Sequence, residues 1–124
     1  MANRMLIMMT SGPDTPHRLG TPFFQASAAT TLDVEVTVVF TMDGTLLLKK
    51  GVAEKAVVKE GSNKSVYQFM KEAKEYGVKM FVCPASLELH DLRMEDLIPE
   101  CDGAMGASSY SAMGLEDDVA VFSY

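Results

Sequence analysis

Hydrophobic residues along this chain fall into short runs separated by turn-rich or amphipathic segments. The runs at residues 4–9 and 34–40 have the length of a strand, and the second is nearly continuous in β-branched and apolar residues. Such continuity is typical of a strand that is covered on both faces. Three more apolar runs, at residues 78–82, 103–106 and 119–124, are predicted as further strands.

The clearest helix is predicted in the middle of the chain. Its apolar positions recur at helical spacing at Val66, Phe69, Met70 and Ala73. Ser62 and Asn63 are possible N-caps, and Gly77 stands where a helix end favours a left-handed residue.

Other helices are predicted from their capping residues and composition. Thr21 is placed as an N-cap and Pro22 as the first helical residue of an Ala-rich segment. Residues 41–65 are expected to form a short helix and a mobile connection, and residues 108–117 another short helix.

Strands that alternate with helices imply right-handed crossovers and a mainly parallel sheet. The predicted fold class is therefore α/β: a single domain, residues 1–124, with a five-stranded, mainly parallel sheet and helices on both faces, layered as in flavodoxin. Ligands of such sheets gather beyond the carboxyl ends of the strands. The segments expected at that edge are residues 10–20, 41–44, 83–86 and 107–110.

Composition narrows the possible functions. A net charge of −6 and a pI near 4.8 disfavour nucleic acid and anionic membranes as partners, because both need clustered cations. No apolar run approaches the about 18 residues of a membrane span, so a cytoplasmic protein without membrane contact is expected. Ten methionines suggest core packing or a subunit interface.

Cys83 lies in "KMFVCPASLELHD", after a predicted strand and directly before Pro84. This places Cys83 as a candidate N-cap, where the amides of Ala85 and Ser86 and the helix dipole would favour the thiolate, the nucleophilic form. The arrangement suits thiol or persulfide exchange better than hydrolysis. The structural alternative is a small apolar residue that closes a buried strand.

Cys101 is the second candidate sulfur. Its neighbours Glu100 and Asp102 would raise the pKa of its thiol, which favours a structural role. Cys101 would serve as a second sulfur station only if the fold brought it near Cys83.

The remaining candidate residues give weaker signals. His17 and His90 could each act as a base, although a solvated side chain is the simpler interpretation of both. Asp43 belongs to a probable turn with Gly44, and the acidic cluster at residues 116–118 is most simply a solvated turn. No phosphate-loop, metal-ligand or serine-hydrolase pattern is present.

Three stretches together resemble the DsrE/DsrF-like family of small sulfur-relay proteins, which includes TusD-type subunits. They are "TSGPDTPHRLGTPFFQASAA", "VEVTVVFTMDGTLLLKKG" and "FVCPASLELHDLRMEDLIPECDGAMGASSY". The resemblance implies a five-stranded sheet, a homo-oligomer that is a trimer or hexamer, and a cysteine at the end of the third strand that holds a persulfide. That cysteine corresponds to Cys83, whereas Cys101 has no fixed counterpart.

The function suggested by the resemblance is sulfur transfer between proteins, with a TusA-like carrier among the donors and acceptors and a role in sulfur oxidation or thiolation. No cofactor is expected, because a persulfide is both the cargo and its own activated form. Two alternatives stay open. The protein could be a non-catalytic scaffold subunit, or a redox sensor in which Cys83 and Cys101 form a reversible disulfide.

Overall fold

Five parallel strands form one sheet with the order β4-β3-β2-β1-β5. The computed structural model describes residues 2–124. The strands are β1 (Arg4–Met9), β2 (Glu35–Phe40), β3 (Lys79–Val82), β4 (Gly103–Ala104) and β5 (Val119–Ser123). The helices are α1 (Thr21–Thr30), α2 (Val66–Glu75), α3 (Pro84–Leu89) and α4 (Ala107–Gly114). The predicted five strands and the α/β class are confirmed.

Helices cover both faces of the sheet, as predicted. On one face α1 packs against β1, β2 and α2, and the ring of Phe23 stacks on Phe40 with centroids 6.1 Å apart. The buried side chain of Ile7 belongs to this core. Its neighbour Leu6 points to the opposite face because side chains alternate along a strand. There Gly114 of α4 lies against Leu6 and Val121.

The N-cap of α2 lies three residues after the first of its predicted N-caps. Ser65 is the N-cap, and its hydroxyl accepts from the Gln68 N–H while the Gln68 side chain accepts from the Ser65 N–H. This capping box satisfies two free donors at once, so Ser65 is favoured over Ser62 and Asn63. At the other end Gly77 has φ +95°, which confirms the predicted left-handed residue.

The N-cap predicted for the first helix needs correction, whereas the short helix predicted after β2 is present. The first helix starts at Thr21, so its N-cap is Gly20, whose carbonyl accepts the bond from the Phe24 N–H. The region after β2 forms a 3₁₀ helix over Met42–Leu48. The connection that follows it is anchored to the core, because Ala53 within it is fully buried.

The acidic turn before β5 is tied to the start of β1. The Arg4 guanidinium donates to both carboxylate oxygens of Asp118, at 3.0 and 2.8 Å, and also to Glu116. The cluster is solvated, as the sequence indicates, with the Glu116 and Asp118 side chains 52% and 41% exposed. Its position beside Arg4 follows from the pairing of β1 with β5, which aligns Arg4 with Val119.

Several methionines fill the core, as composition suggested. Met9, Met70 and Met80 are fully buried, whereas Met42 and Met94 are exposed. Within residues 2–124 no helix has the length and apolar composition needed to cross a bilayer.

Candidate functional site

Cys83 lies at the carboxyl end of β3 and caps the amino end of α3. Its backbone is extended, with φ −76° and ψ 120°, and Pro84 is the first helical residue. The Cys83 N–H donates to the Phe40 carbonyl at 2.9 Å, and its own carbonyl accepts from the Ser86 N–H at 3.0 Å. The predicted N-cap position is therefore confirmed.

The environment of the Cys83 sulfur differs from the prediction. No amide donates to the side chain of this N-cap, and Cys83 is only 5% exposed. The prediction of an open thiol held by the amides of Ala85 and Ser86 is wrong. The reason is that Cys83 still continues the ladder with β2, so it lies within the sheet, while Pro84 and Ala85 turn outward and are exposed.

Ser86 joins α3 to the loop that follows β2. Its side chain is buried, and its hydroxyl accepts from the Met42 N–H at 2.8 Å and lies 3.0 Å from the Thr41 hydroxyl. Met42 has φ +51° and is 55% exposed. A left-handed conformation is unfavourable for methionine, so the surrounding contacts must hold it.

His90 holds the same loop from the other end of α3. Its Nε2 lies 3.0 Å from the Met42 carbonyl and 3.6 Å from Oδ1 of Asp43, and its side chain is 16% exposed. Interpretation of His90 as a solvated side chain is therefore wrong. We call Ser86, His90 and Met42 the α3 clasp, because the first two fix the third beside the end of β3.

Two glycines let the neighbouring loops approach one another. A Cβ on Gly44 would lie 2.1 Å from the carbonyl oxygen of Met9, and a Cβ on Gly12 would lie 2.4 Å from that of Asp43. The loops after β1 and β2 are thus packed backbone against backbone beside the clasp. Gly44, the glycine of the predicted D-G turn, is needed because a side chain there would clash with the backbone of Met9.

Cys101 lies in the loop that precedes β4, two residues before Gly103, which pairs with Phe81 of β3. Its thiol donates to the Gly103 carbonyl at 3.3 Å, and the backbone of Val82, the residue before Cys83, also hydrogen-bonds to it. Both cysteines are free thiols. The role of Cys101 as a second sulfur station stays a prediction.

The surroundings of Cys101 are those of a structural thiol. Burial raises the pKa of this thiol, and the charge of Asp102 raises it further while that of Lys74 lowers it. The direction agrees with the sequence prediction, although burial is the larger cause. The other predicted neighbour, Glu100, accepts hydrogen bonds from the Tyr67 hydroxyl, at 2.9 and 3.0 Å. Burial and this carboxylate raise the pKa of Tyr67 to about 12.

The remaining predicted histidine, His17, is exposed in the loop after β1. It lies beside Ser11 and Tyr124 rather than at the α3 clasp. Sequence reasoning missed Ser86 as a site residue. The sequence did contain a signal for Ser86, because it is the third residue of a helix that starts directly after the candidate cysteine.

The fold and the site define a small α/β protein with a thiol at the carboxyl edge of a parallel sheet. The sequence profile of the DsrE/DsrF-like family matches residues 3–122 of the chain. The chain therefore belongs to that family, whose members are generally associated with sulfur relay. No curated protein sequence matches the chain.

Two solved structures share the fold. The ychN protein from E. coli superposes with a TM-score of 0.78 at 14% identity, with all of both chains covered. The protein of unknown function MTH1491 from Methanobacterium thermoautotrophicum superposes with a TM-score of 0.62 at 12% identity, again with full coverage of both chains. At these identities the likeness concerns the fold alone.

Proposed function

We propose that this protein is a sulfur carrier that accepts sulfane sulfur on Cys83 and passes it to an acceptor thiol. The observation that carries the proposal is the position of Cys83 at the end of β3, in a family associated with sulfur relay. The carboxyl edge of a parallel sheet is where α/β proteins place their reactive groups. In this proposal Cys83 accepts the sulfur first, and Cys101 stays the candidate second sulfur station.

The transfer needs no added oxidant or reductant. The Cys83 thiolate attacks the outer sulfur of a donor persulfide R–S–SH, and the sulfur–sulfur bond of the donor breaks. The donor leaves as the thiolate R–S⁻, and Cys83 becomes Cys–S–SH. An acceptor thiolate then attacks the outer sulfur and releases the Cys83 thiolate.

Access to the sulfur requires a local opening, because Cys83 is 5% exposed. The adjoining helix α3 is short, with six residues, and Pro84, Ala85 and Leu89 on it are exposed. Segments with few buried contacts open at low free energy. A docking partner that displaces the α3 clasp would expose the thiol only when the acceptor or donor is present.

The proposed partners are sulfur-donor and sulfur-acceptor proteins, including a TusA-like carrier, in a cytoplasmic pathway of sulfur oxidation or thiolation. Assembly into a homotrimer or homohexamer is part of the proposal. It is supported by the exposed Val121 and Phe122 on the edge strand β5 and by the exposed Leu115 before it.

The test is intact-mass measurement after incubation with polysulfide. The wild type and the matched control Cys101→Ser are expected to gain the mass of one sulfur atom, and dithiothreitol should remove it. Cys83→Ser is expected to gain none. A gain that persists in Cys83→Ser would contradict the assignment.

The burial of Cys83 favours a second candidate function, a non-catalytic scaffold subunit of a sulfur-metabolism complex. In that case Cys83 only packs, and iodoacetamide modifies it only after denaturation. Labelling of Cys83 in the folded protein, at a rate that rises with pH, would favour the carrier over the scaffold.

A further inference from the structure

A second site is indicated at the same edge of the sheet, away from Cys83. A cavity of about 460 Å³ opens between the carboxyl ends of β1 and β5, beside the start of α1. It is lined by Ser11, His17, Arg18, Thr21, Ser123 and Tyr124. None of these residues takes part in the α3 clasp.

The topology marks this cavity as the crevice where the strand order reverses. From β1 the chain adds β2, β3 and β4 on one side, and it then crosses over to place β5 on the other side of β1. In open α/β sheets ligands bind at this point, outside the carboxyl ends of the strands. Cys83 follows β3, two strands away from β1, so the switch point and the thiol are separate.

The lining of the cavity has the chemistry of an anion site. His17 and Arg18 supply cationic or hydrogen-bonding groups, and the hydroxyls of Ser11, Thr21 and Ser123 supply further donors. Within the part of the chain that the structure describes, no Asp or Glu side chain lines this cavity. Arginine presents a fork of N–H donors that matches phosphate oxygens.

Both basic side chains remain available to a ligand. None of the ion pairs found within residues 2–124 involves His17 or Arg18. The wall opposite them is fixed, because the Tyr124 hydroxyl donates to the Gln25 side chain. The backbone oxygen of Tyr124 accepts from both the N–H and the hydroxyl of Thr10 at 2.7 Å, so it is engaged elsewhere.

The cavity has room for a ligand larger than a free oxyanion. Sites for small organic molecules span about 300 to 1,000 Å³, and this cavity falls within that range. We propose that it binds a small organic phosphate, with the phosphate at Arg18 and His17 and the organic part against Tyr124. This site is independent of the sulfur chemistry of Cys83.

The test is a titration of the full chain, labelled with ¹⁵N, followed by amide NMR shifts. The probes are adenosine 5′-monophosphate, ribose 5-phosphate, inorganic phosphate and adenosine. At least one organic phosphate is expected to give saturable shifts at Ser11, Arg18 and Ser123, with inorganic phosphate weaker and adenosine inactive. Cys83→Ser should bind equally well.

Arg18→Gln is expected to weaken the binding about ten-fold, as loss of a charged hydrogen bond does. The matched control Arg93→Gln, an exposed arginine beside Glu95, should leave it unchanged. Three results would overturn the proposal: no saturable shifts with either organic phosphate, equal binding of inorganic phosphate or adenosine, or equal weakening by Arg93→Gln.

Discussion

The Ser86 hydroxyl accepts a hydrogen bond from the Met42 N–H at 2.8 Å, although the two residues are 44 positions apart in the chain. The bond crosses from α3 to the loop after β2, beside the end of the strand that carries Cys83. Loss of this acceptor would leave a backbone donor without its partner next to the candidate thiol.

Ser86→Ala is expected to lower the free energy of unfolding by about 1 kcal/mol, because the partly buried Met42 N–H loses its acceptor. Urea denaturation measures this change. The matched control is Ser108→Ala on the exposed surface of α4, which should shift the free energy by less than about 0.5 kcal/mol. Equal effects of the two substitutions would contradict the role assigned to Ser86.

His90→Ala is expected to speed the alkylation of Cys83 in the folded protein, because the Met42 loop loses a contact that holds it to the end of α3. The rate is measured with iodoacetamide in a Cys101→Ser background, so that only one thiol reacts. His17→Ala, at the other end of the carboxyl edge, should leave that rate unaltered. A Cys83 rate that does not change in His90→Ala would argue against the clasp.

Met42→Gly is expected to be more stable than Met42→Ala by about 1 kcal/mol, because glycine accepts φ +51° without strain while alanine does not. Both substitutions remove the same exposed side chain beyond Cβ. Thermal or urea denaturation compares the pair, and greater stability of the alanine variant would be inconsistent with a strained Met42.

Gly44→Ala is expected to destabilise the protein by about 3 kcal/mol, because its Cβ would lie 2.1 Å from the carbonyl oxygen of Met9. That oxygen belongs to the backbone and cannot move aside cheaply. The comparison is Gly106→Ala, where φ is −80° and no atom lies within 4 Å of the added Cβ. Its expected cost is below about 1 kcal/mol.

The pair formed by Arg4 and Asp118 predicts a loss of stability in acid. Hydrogen bonds from Arg4 hold the pKa of Asp118 below its ordinary value of 3.8. The folded state therefore binds the proton less readily than the unfolded chain. The stabilisation is present above about pH 4 and is lost as the pH falls through the lower folded-state pKa. Asp118→Asn should flatten this part of the curve of unfolding free energy against pH, whereas Asp14→Asn should not.

The sequence alone determined the elements and the fold class of this protein. Apolar runs of strand length alternate with segments whose apolar residues recur at helical spacing. This alternation implies parallel strands joined by helical crossovers, because the helices bury their apolar faces against the sheet. It also placed Cys83 at the end of β3 before a helix, because Pro84 fixes a helix start locally.

Tertiary structure alone decided the strand order, and with it every distance between segments far apart in the chain. The pairing of β1 with β5 creates the cavity beside Arg18. The burial of Cys83 was likewise undetermined by local sequence. Exposure depends on which segments pack around a residue, and the Cys83 N–H bonds to the carbonyl of Phe40 at the end of β2, far away in the chain.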